Sequence, residues 1–476
     1  MARHRQRIPP ITVRLVLAAT VLLNVAAQEA FQDTDPLILK ARHFLDAMSR
    51  GDYQGATVDL DETMLKLFGP AQMAAFWKEM PQRVGTFVRQ TTARKETLPP
   101  YEIVLIGCDF DKTSLDAHIA FDQAGRISGF QFVPAAAAGA KYQDPGYADR
   151  SRIEETDVTV GTGGWALPAT LTRPVGPGPF PGLVLVHGSG PNDRDETLGA
   201  NKPFKDLALG LATKGVAVLR YEKRTRIHGS RMIADKELAS SLTVKEEVID
   251  DALQAAEVLR RADRVDPGRV FLLGHSLGGY LIPRIAAADR KGDIAGFIIM
   301  AGATRPLEDM MVEQVAYILG LAGGGGEDGR KRLEELKAQR DRVKALSESD
   351  LASGERIMSA GVRYWLDLRG YNPPQMAKKI ERPILVIQGE RDYQVTAAKD
   401  FANWKAALGG RPDVTFRLYP KLNHLFIEGQ GFPNPSEYTL TVGHIPAAVI
   451  DDLAGWILNP RRAGTPSGTP SRGGRR

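Results

Sequence analysis

Six short apolar runs most constrain the fold: Leu183–Val186, Val216–Arg220, Val270–Leu273, Phe297–Met300, Ile384–Ile387 and Val414–Leu418. As a set they lack polar alternation, the pattern of strands buried on both faces of a parallel sheet. Helical stretches at 204–214, 244–262, 277–288 and 397–408 alternate with them, and one at 445–458 follows the last. Parallel neighbours need such crossovers, so the alternation predicts an α/β domain over 153–459 with a doubly wound, mostly parallel sheet. At its start Asp157–Val160 and Ala169–Thr172 flank Gly161–Gly164, a hairpin pattern.

One stretch breaks the rhythm. Between Ala303 and Gln375 no strand is expected. Met310–Leu321 is helical, Gly323–Gly326 interrupts it, and Leu333, Leu336, Val343 and Leu346 mark a charged amphipathic helix. A third segment carries Met358, Tyr364, Trp365 and Leu368. Insertions this long inside a compact domain are usually functional. Residues 304–376 lie between two strands of the sheet and so emerge at the carboxyl ends of the strands. The expectation is a helical cap. Its Met310, Met311, Ile318, Leu319, Tyr364 and Trp365 line the substrate pocket, and Gly323–Gly326 lets it open.

The 476 residues exceed what one core usually holds, roughly 250–300. Residues 36–133 read as a separate small α+β module. Asp35 caps a helix with Pro36 at its first position, and a second helix surrounds Met73–Met80. Strands follow at 84–92, 101–109, 115–121 and 127–133. Residues 134–152 look like a linker. Residues 460–476, rich in Gly, Pro, Ser and Arg, look like a disordered basic tail.

A net charge of +5 and a pI near 9.1 suggest a polyanionic partner until the charge is located. Residues 1–27 carry +4 and residues 460–476 carry +5, neither with an acid, which leaves −4 on the body. No basic stripe remains for nucleic acid. The first 27 residues have the layout of a signal peptide. Arg3, Arg5 and Arg7 precede the apolar run Leu15–Leu23, and Val25-Ala26-Ala27 offers a cleavage site. The run is well short of the ~20 residues of a spanning helix. Export to the periplasm or beyond is therefore expected, with no stable membrane insertion after cleavage. Cys108 is the single cysteine, so neither an intramolecular disulfide nor a cysteine metal cluster can form.

The chemistry enters with Gly274-His275-Ser276-Leu277-Gly278-Gly279, which joins an apolar strand to a helix. A G-x-S-x-G nucleophile elbow requires that context. The chain must reverse at Ser276, and side chains at 274 or 278 would collide as strand and helix close up. A serine nucleophile needs a base and an acid that follow it in chain order. Of the histidines, only His424 and His444 lie downstream of Ser276, and His444 opens the last helical stretch, where an N-terminal or packed position is the plainer reading. His424 follows the last strand. Asp392 sits just past the strand Ile384–Ile387, with Glu390 as its nearest competitor. The oxyanion needs two backbone N–H groups, expected at Leu277 and, in the loop His187-Gly188-Ser189-Gly190, at Ser189. The charged clusters Asn192–Glu196 and Arg220–Arg224 read as salt-bridged scaffolding. No Walker loop, dinucleotide fingerprint or H-E-x-x-H is present, and acyl transfer by this set needs no metal or organic cofactor.

These residues resemble a family, the bacterial α/β-hydrolase carboxylesterases of the EstD type, related to serine aminopeptidase-like hydrolases. The likeness spans most of 153–458. It rests on Leu185–Glu196, Asn201–Phe204, Leu219–Arg224, Gly274–Gly279, Gly389–Asp392 and Leu422–His424. Members commonly carry a small N-terminal module of unknown function, and 36–133 looks like it. The resemblance implies a triad of Ser276, Asp392 and His424 and activity on small-molecule esters with short to medium acyl chains. Two alternatives stay open: a thioester or peptide substrate on the same triad, and a binding protein acting through the first module. Oligomeric state is not legible.

Overall fold

The computed structural model describes residues 35–98, 101–134, 142–321, 326–435 and 437–460. The expected signal segment 1–27, the tail beyond 460 and Gly323–Gly325 lie outside the described residues. The chain divides into two units, Met1–Ala140 and Lys141–Arg476.

In the first unit Asp35 accepts the Leu37 N–H at 2.9 Å and starts the helix Pro36–Ser49. Helices Glu62–Leu67 and Pro70–Arg83 follow. An antiparallel meander then runs through β1 (Phe87–Leu98), β2 (Tyr101–Phe110), β3 (Ser114–Phe121) and β4 (Ile127–Pro134). The core joins Ile38, Phe44, Leu45 and Met48 of the first helix to Val104, Ile106, Ile119 and Phe121 of the sheet. The segment expected as a strand at 84–92 is corrected. Helix occupies the chain to Arg83, Gly85 turns at φ 93°, and β1 runs on to Leu98. β1 is an edge strand whose charged residues hide its period. Cys108 is buried in β2, and burial pushes its thiol up to about 12.

The second unit is built on eight strands: β5 (Ile153–Val160), β6 (Leu167–Pro174), β7 (Phe180–Val186), β8 (Ala217–Tyr221), β9 (Val265–His275), β10 (Gly296–Met300), β13 (Ile384–Gly389) and β14 (Val414–Tyr419). Their order across the sheet is β14-β13-β10-β9-β7-β8-β6-β5. Only the β5–β6 and β6–β8 pairs are antiparallel. Alternate residues feed two cores. Val184, Val186, Val270, Leu272, Phe297 and Ile299 face the helices Asp250–Arg260 and Leu277–Ala288. Leu183, Leu185, Phe271, Leu273, Ile298 and Met300 face the helices Pro203–Thr213 and Ala447–Leu458. This is why the runs show no polar alternation. β14 departs from that reading: at the sheet edge it exposes Arg417 and Leu418.

Three further differences matter. The helical stretches at 244–262 and 397–408 each begin with a π turn, Lys245–Ile249 and Ala397–Phe401. Residues 142–152, read as linker, pack on the second unit: the Tyr142 hydroxyl donates to Asp206 at 2.8 Å, and Tyr147 lies against Gly210. The insertion 304–376 is not strand-free. Between its helices Leu307–Leu321, Gly326–Ala345 and Val362–Leu368 lies a two-stranded ribbon, β11 (Arg356–Ile357) with β12 (Ala360–Gly361). Val343, Leu346, Ile357, Val362 and Trp365 form the insertion's own small core. Among the described residues no helix is long and apolar enough to cross a membrane.

Candidate active site

β9 carries Gly274 and His275 to its carboxyl end, and the helix Leu277–Ala288 begins one residue later. Ser276 alone makes the reversal, at φ 52° and ψ −113°, a conformation that costs a residue with a side chain ~1–3 kcal/mol. The neighbouring glycines are steric requirements. A Cβ on Gly274 would strike the Gly278 carbonyl oxygen, and one on Gly278 would strike that of Val186. The Ser276 N–H donates to Met300 at 3.0 Å, tying the elbow to β10.

The acid and the histidine lie beyond β13 and β14. His424 Nδ1 stands 2.7 Å from Asp392 Oδ2, and both residues are buried. The other carboxylate oxygen accepts the N–H groups of Gln394 and Val395 at 2.8 and 2.9 Å, and Gln388 Nε2 donates to Oδ2 at 3.0 Å. Four donors thus fix the carboxylate. The two loops are stitched together. Glu390 donates its N–H to Tyr419 at 2.9 Å, and Arg391 donates to Leu422 at 3.0 Å. Glu390, the competing acid, is exposed, and His444 pairs with Asp206 at 3.1 Å instead.

The loop after β7 abuts Ser276. A Cβ on Gly188 would lie 3.1 Å from that of Ser276. The Gly188 N–H is spent on Glu196 Oε1 at 2.6 Å, whereas the amides of Ser189 and Leu277 meet no acceptor among the described residues. Glu196 also sits 2.8 Å from His275 Nδ1. That approach lacks hydrogen-bond geometry, so the attraction is between charges. Burial works against both charged forms, and the partner charge, together with the Gly188 N–H for Glu196 and the His424 carbonyl for His275, overcomes it. Glu196 is held at about 2, and His275 is raised above its ordinary value. His275 Nε2 in turn meets the His424 carbonyl oxygen at 3.0 Å. The buried pair therefore links the loop after β7, the elbow and the histidine loop. Sequence reading placed Glu196 in a salt-bridged cluster and His275 in the elbow motif and missed this link, because their meeting depends on the order of β7 and β9.

A cavity of about 620 Å³ opens at Ser276. Ser189, Leu277, Met310, Met311, Tyr364 and Trp365 line it, so the expected pocket residues share one space with the serine. Ile318 and Leu319 do not. They lie farther along the helix Leu307–Leu321, beyond the turns that carry Leu307, Met310, Met311 and Gln314 to the cavity, and Ile318 is 37 % exposed. A second wall was not expected. Met232, Ala239 and Leu242 come from the short helices Gly229–Ala234 and Lys236–Ser241 and the residue after them, between β8 and β9. Glu247, in the π turn, faces the same space. The one available signal was the long interval between a strand and its crossover helix.

Residues 183–460 match the model of the alpha/beta hydrolase family, and residues 41–130 match a family described as a protein of unknown function, DUF3887. The chain is 36 % identical over 448 residues to the Esterase EstD of Thermotoga maritima, across 94 % of this chain and all of that protein. Among solved structures it is similar to an acylaminoacyl peptidase of Pyrococcus horikoshii, with 13 % identity, TM-score 0.43, and coverage of 80 % of this chain and 58 % of that one. It is also similar to an esterase of Pyrobaculum calidifontis, with 18 % identity, TM-score 0.40, and coverage of 64 % and 85 %.

Proposed function

The chain belongs to the alpha/beta hydrolase family and is a hydrolase, and from that premise we propose that it cleaves carboxylic esters of short to medium acyl chain through an acyl-enzyme on Ser276. The observation that carries this reading is the buried Asp392–His424 contact at 2.7 Å, in a loop that His275 ties to the elbow of a strained serine. The esterase that the chain resembles along its whole length supports the choice of ester. A cavity of about 620 Å³ lies within the ~300–1,000 Å³ of small-ligand sites, which suits a short or medium chain.

With Nδ1 engaged by Asp392, Nε2 of His424 is the nitrogen left to take the Ser276 proton. Oγ then attacks the ester carbonyl, and the N–H groups of Leu277 and Ser189 hold the oxyanion. His424 returns the proton to the departing alcohol. Water repeats the attack on the acyl-enzyme and releases the acid. Ser276→Ala should leave a folded protein without p-nitrophenyl acetate turnover and without labelling by a fluorophosphonate. Full turnover in that variant sinks the proposal. A kcat/KM series on matched ester, acyl-CoA and aminoacyl-anilide substrates tests the preference for esters.

We also propose export, from the arginine-led apolar segment of residues 1–27. Mass spectrometry of the mature protein from a periplasmic or culture fraction should find an N-terminus just after Ala27. An intact Met1 on soluble cytosolic protein would refute it.

A further inference from the structure

Lys223 follows β8 and is 2 % exposed. A buried ammonium requires partners. It has two: Nζ lies 2.7 Å from Glu247 Oε1 and donates to the Gly188 carbonyl oxygen at 2.8 Å. The acyl-transfer scheme uses none of these groups. The second oxygen of Glu247 accepts the Tyr364 hydroxyl at 2.8 Å, and Tyr364 belongs to the insertion's helix Val362–Leu368. An unbroken line of contacts thus runs from the insertion, through Glu247 and Lys223, to the loop after β7.

The geometry of one peptide gives that line its use. The Gly188 carbonyl and the Ser189 N–H belong to the same planar trans unit, so they point in opposite directions. A cation that holds the oxygen on the buried side turns the N–H to the other side. On that side Ser189 shares the cavity with Ser276. The Gly188 N–H is itself held by Glu196 at 2.6 Å, so the loop is gripped on both flanks of the glycine. A charge at the carbonyl oxygen also polarises the amide and makes its N–H a better donor.

We propose that Lys223, backed by Glu247 and by Tyr364 of the cap, is a positioning residue that aims the Ser189 N–H at the oxyanion, so that seating of the cap completes the oxyanion hole. This rests on the acyl-transfer reading of Ser276.

The test is Lys223→Met, which keeps length and removes both donor and charge. KM should stay within about twofold while kcat falls about 10–100-fold, less than the ~10²–10³ lost with an oxyanion donor itself. A thionoester supplies the readout that a merely structural role would not move. Its sulfur accepts hydrogen bonds weakly, so it gains little from an aimed N–H. The ester-to-thionoester ratio of kcat/KM should therefore shrink about tenfold in the variant. Tyr364→Phe should shift the ratio the same way by a smaller factor. A folded Lys223→Met enzyme with the parent's ratio overturns the proposal, and so does a loss confined to KM. If the single variant does not fold, because it leaves Glu247 buried and unpaired, Lys223→Met/Glu247→Gln removes both charges and the same ratio decides. Absence of fluorophosphonate labelling at Ser276 in the parent would instead refute acyl transfer itself. A labelled parent with an unmoved ratio removes only the role of Lys223.

Discussion

Glu196→Gln deletes one charge and no bulk from the buried pair that ties three loops together. The parent carboxyl is held at about 2 against an ordinary 4.5. At roughly 1.4 kcal/mol per pKa unit this is about 3 kcal/mol in favour of the ionised form. Part of that returns when His275 sheds its proton, so about 2–3 kcal/mol of stability should be lost near neutral pH. The pH dependence has a definite shape. A carboxyl with a lowered folded pKa contributes above 4.5 and loses that contribution as pH falls towards 2. His275 is raised, so its share is complete below 6.5 and fades as pH rises through its folded value. The gap between parent and variant should therefore be widest between about pH 4.5 and 6.5 and narrow on both sides. Urea unfolding followed by tryptophan fluorescence can read it, because Trp165, Trp365, Trp404 and Trp456 all lie in the second unit. A gap below about 0.5 kcal/mol at pH ~5.5, or one independent of pH, would refute the charge-pair reasoning.

Asp392→Asn should keep the fold and cut kcat by about 10³–10⁴, since the amide no longer selects the productive tautomer of His424; steady-state kinetics on p-nitrophenyl esters check it. Gly278→Ala places a methyl against the Val186 carbonyl and should cost about 3 kcal/mol or abolish soluble expression, read by yield and thermal melting. Met311→Ala and Met358→Ala enlarge the cavity and should raise kcat/KM for longer acyl chains relative to acetate by about tenfold; an unchanged chain-length profile would count against the cap as a wall. Cys108 should resist iodoacetamide at pH 8 in the folded protein and react once unfolded, because burial holds its thiol at about 12.

The sheet was legible because its strands are buried on both faces and so announce themselves as continuous apolar runs. The elbow was legible because its glycines are demanded by contacts within a few residues, Gly274 with Gly278 above all. The pairing of His424 with Asp392 followed from chain order once the fold was clear. What escaped reading is set by distant contacts. β1 is an edge strand, and its Arg and Lys residues conceal where it begins. Glu247 owes its place on the cavity wall to a π turn, which shifts the helix face and leaves no mark on hydrophobic periodicity. Ile318 and Leu319 carry the same apolar signature as Met310 and Met311, but they lie past the end of the cavity along the same helix. Tyr142 and Tyr147 sit among residues typical of a linker, and only their burial against the helix Pro203–Thr213 reveals that they are anchored.

The two walls of the cavity hang on the ends of β8 and β10, while Ser276 and His424 ride on loops tied to one another through Glu196, His275 and the His424 backbone. Change in one part therefore need not disturb the other. Substitutions at Met232, Leu242, Met311 and Met358 should alter what is admitted while leaving Ser276, Asp392 and His424 in place. Tyr364 is the exception, because it bridges the two through Glu247. A directed-evolution library confined to those four positions, with Tyr364 left alone, should keep most members folded and chemically competent while their substrate range drifts. A lineage carrying this scaffold can acquire new substrates in small steps, each passing through a working enzyme.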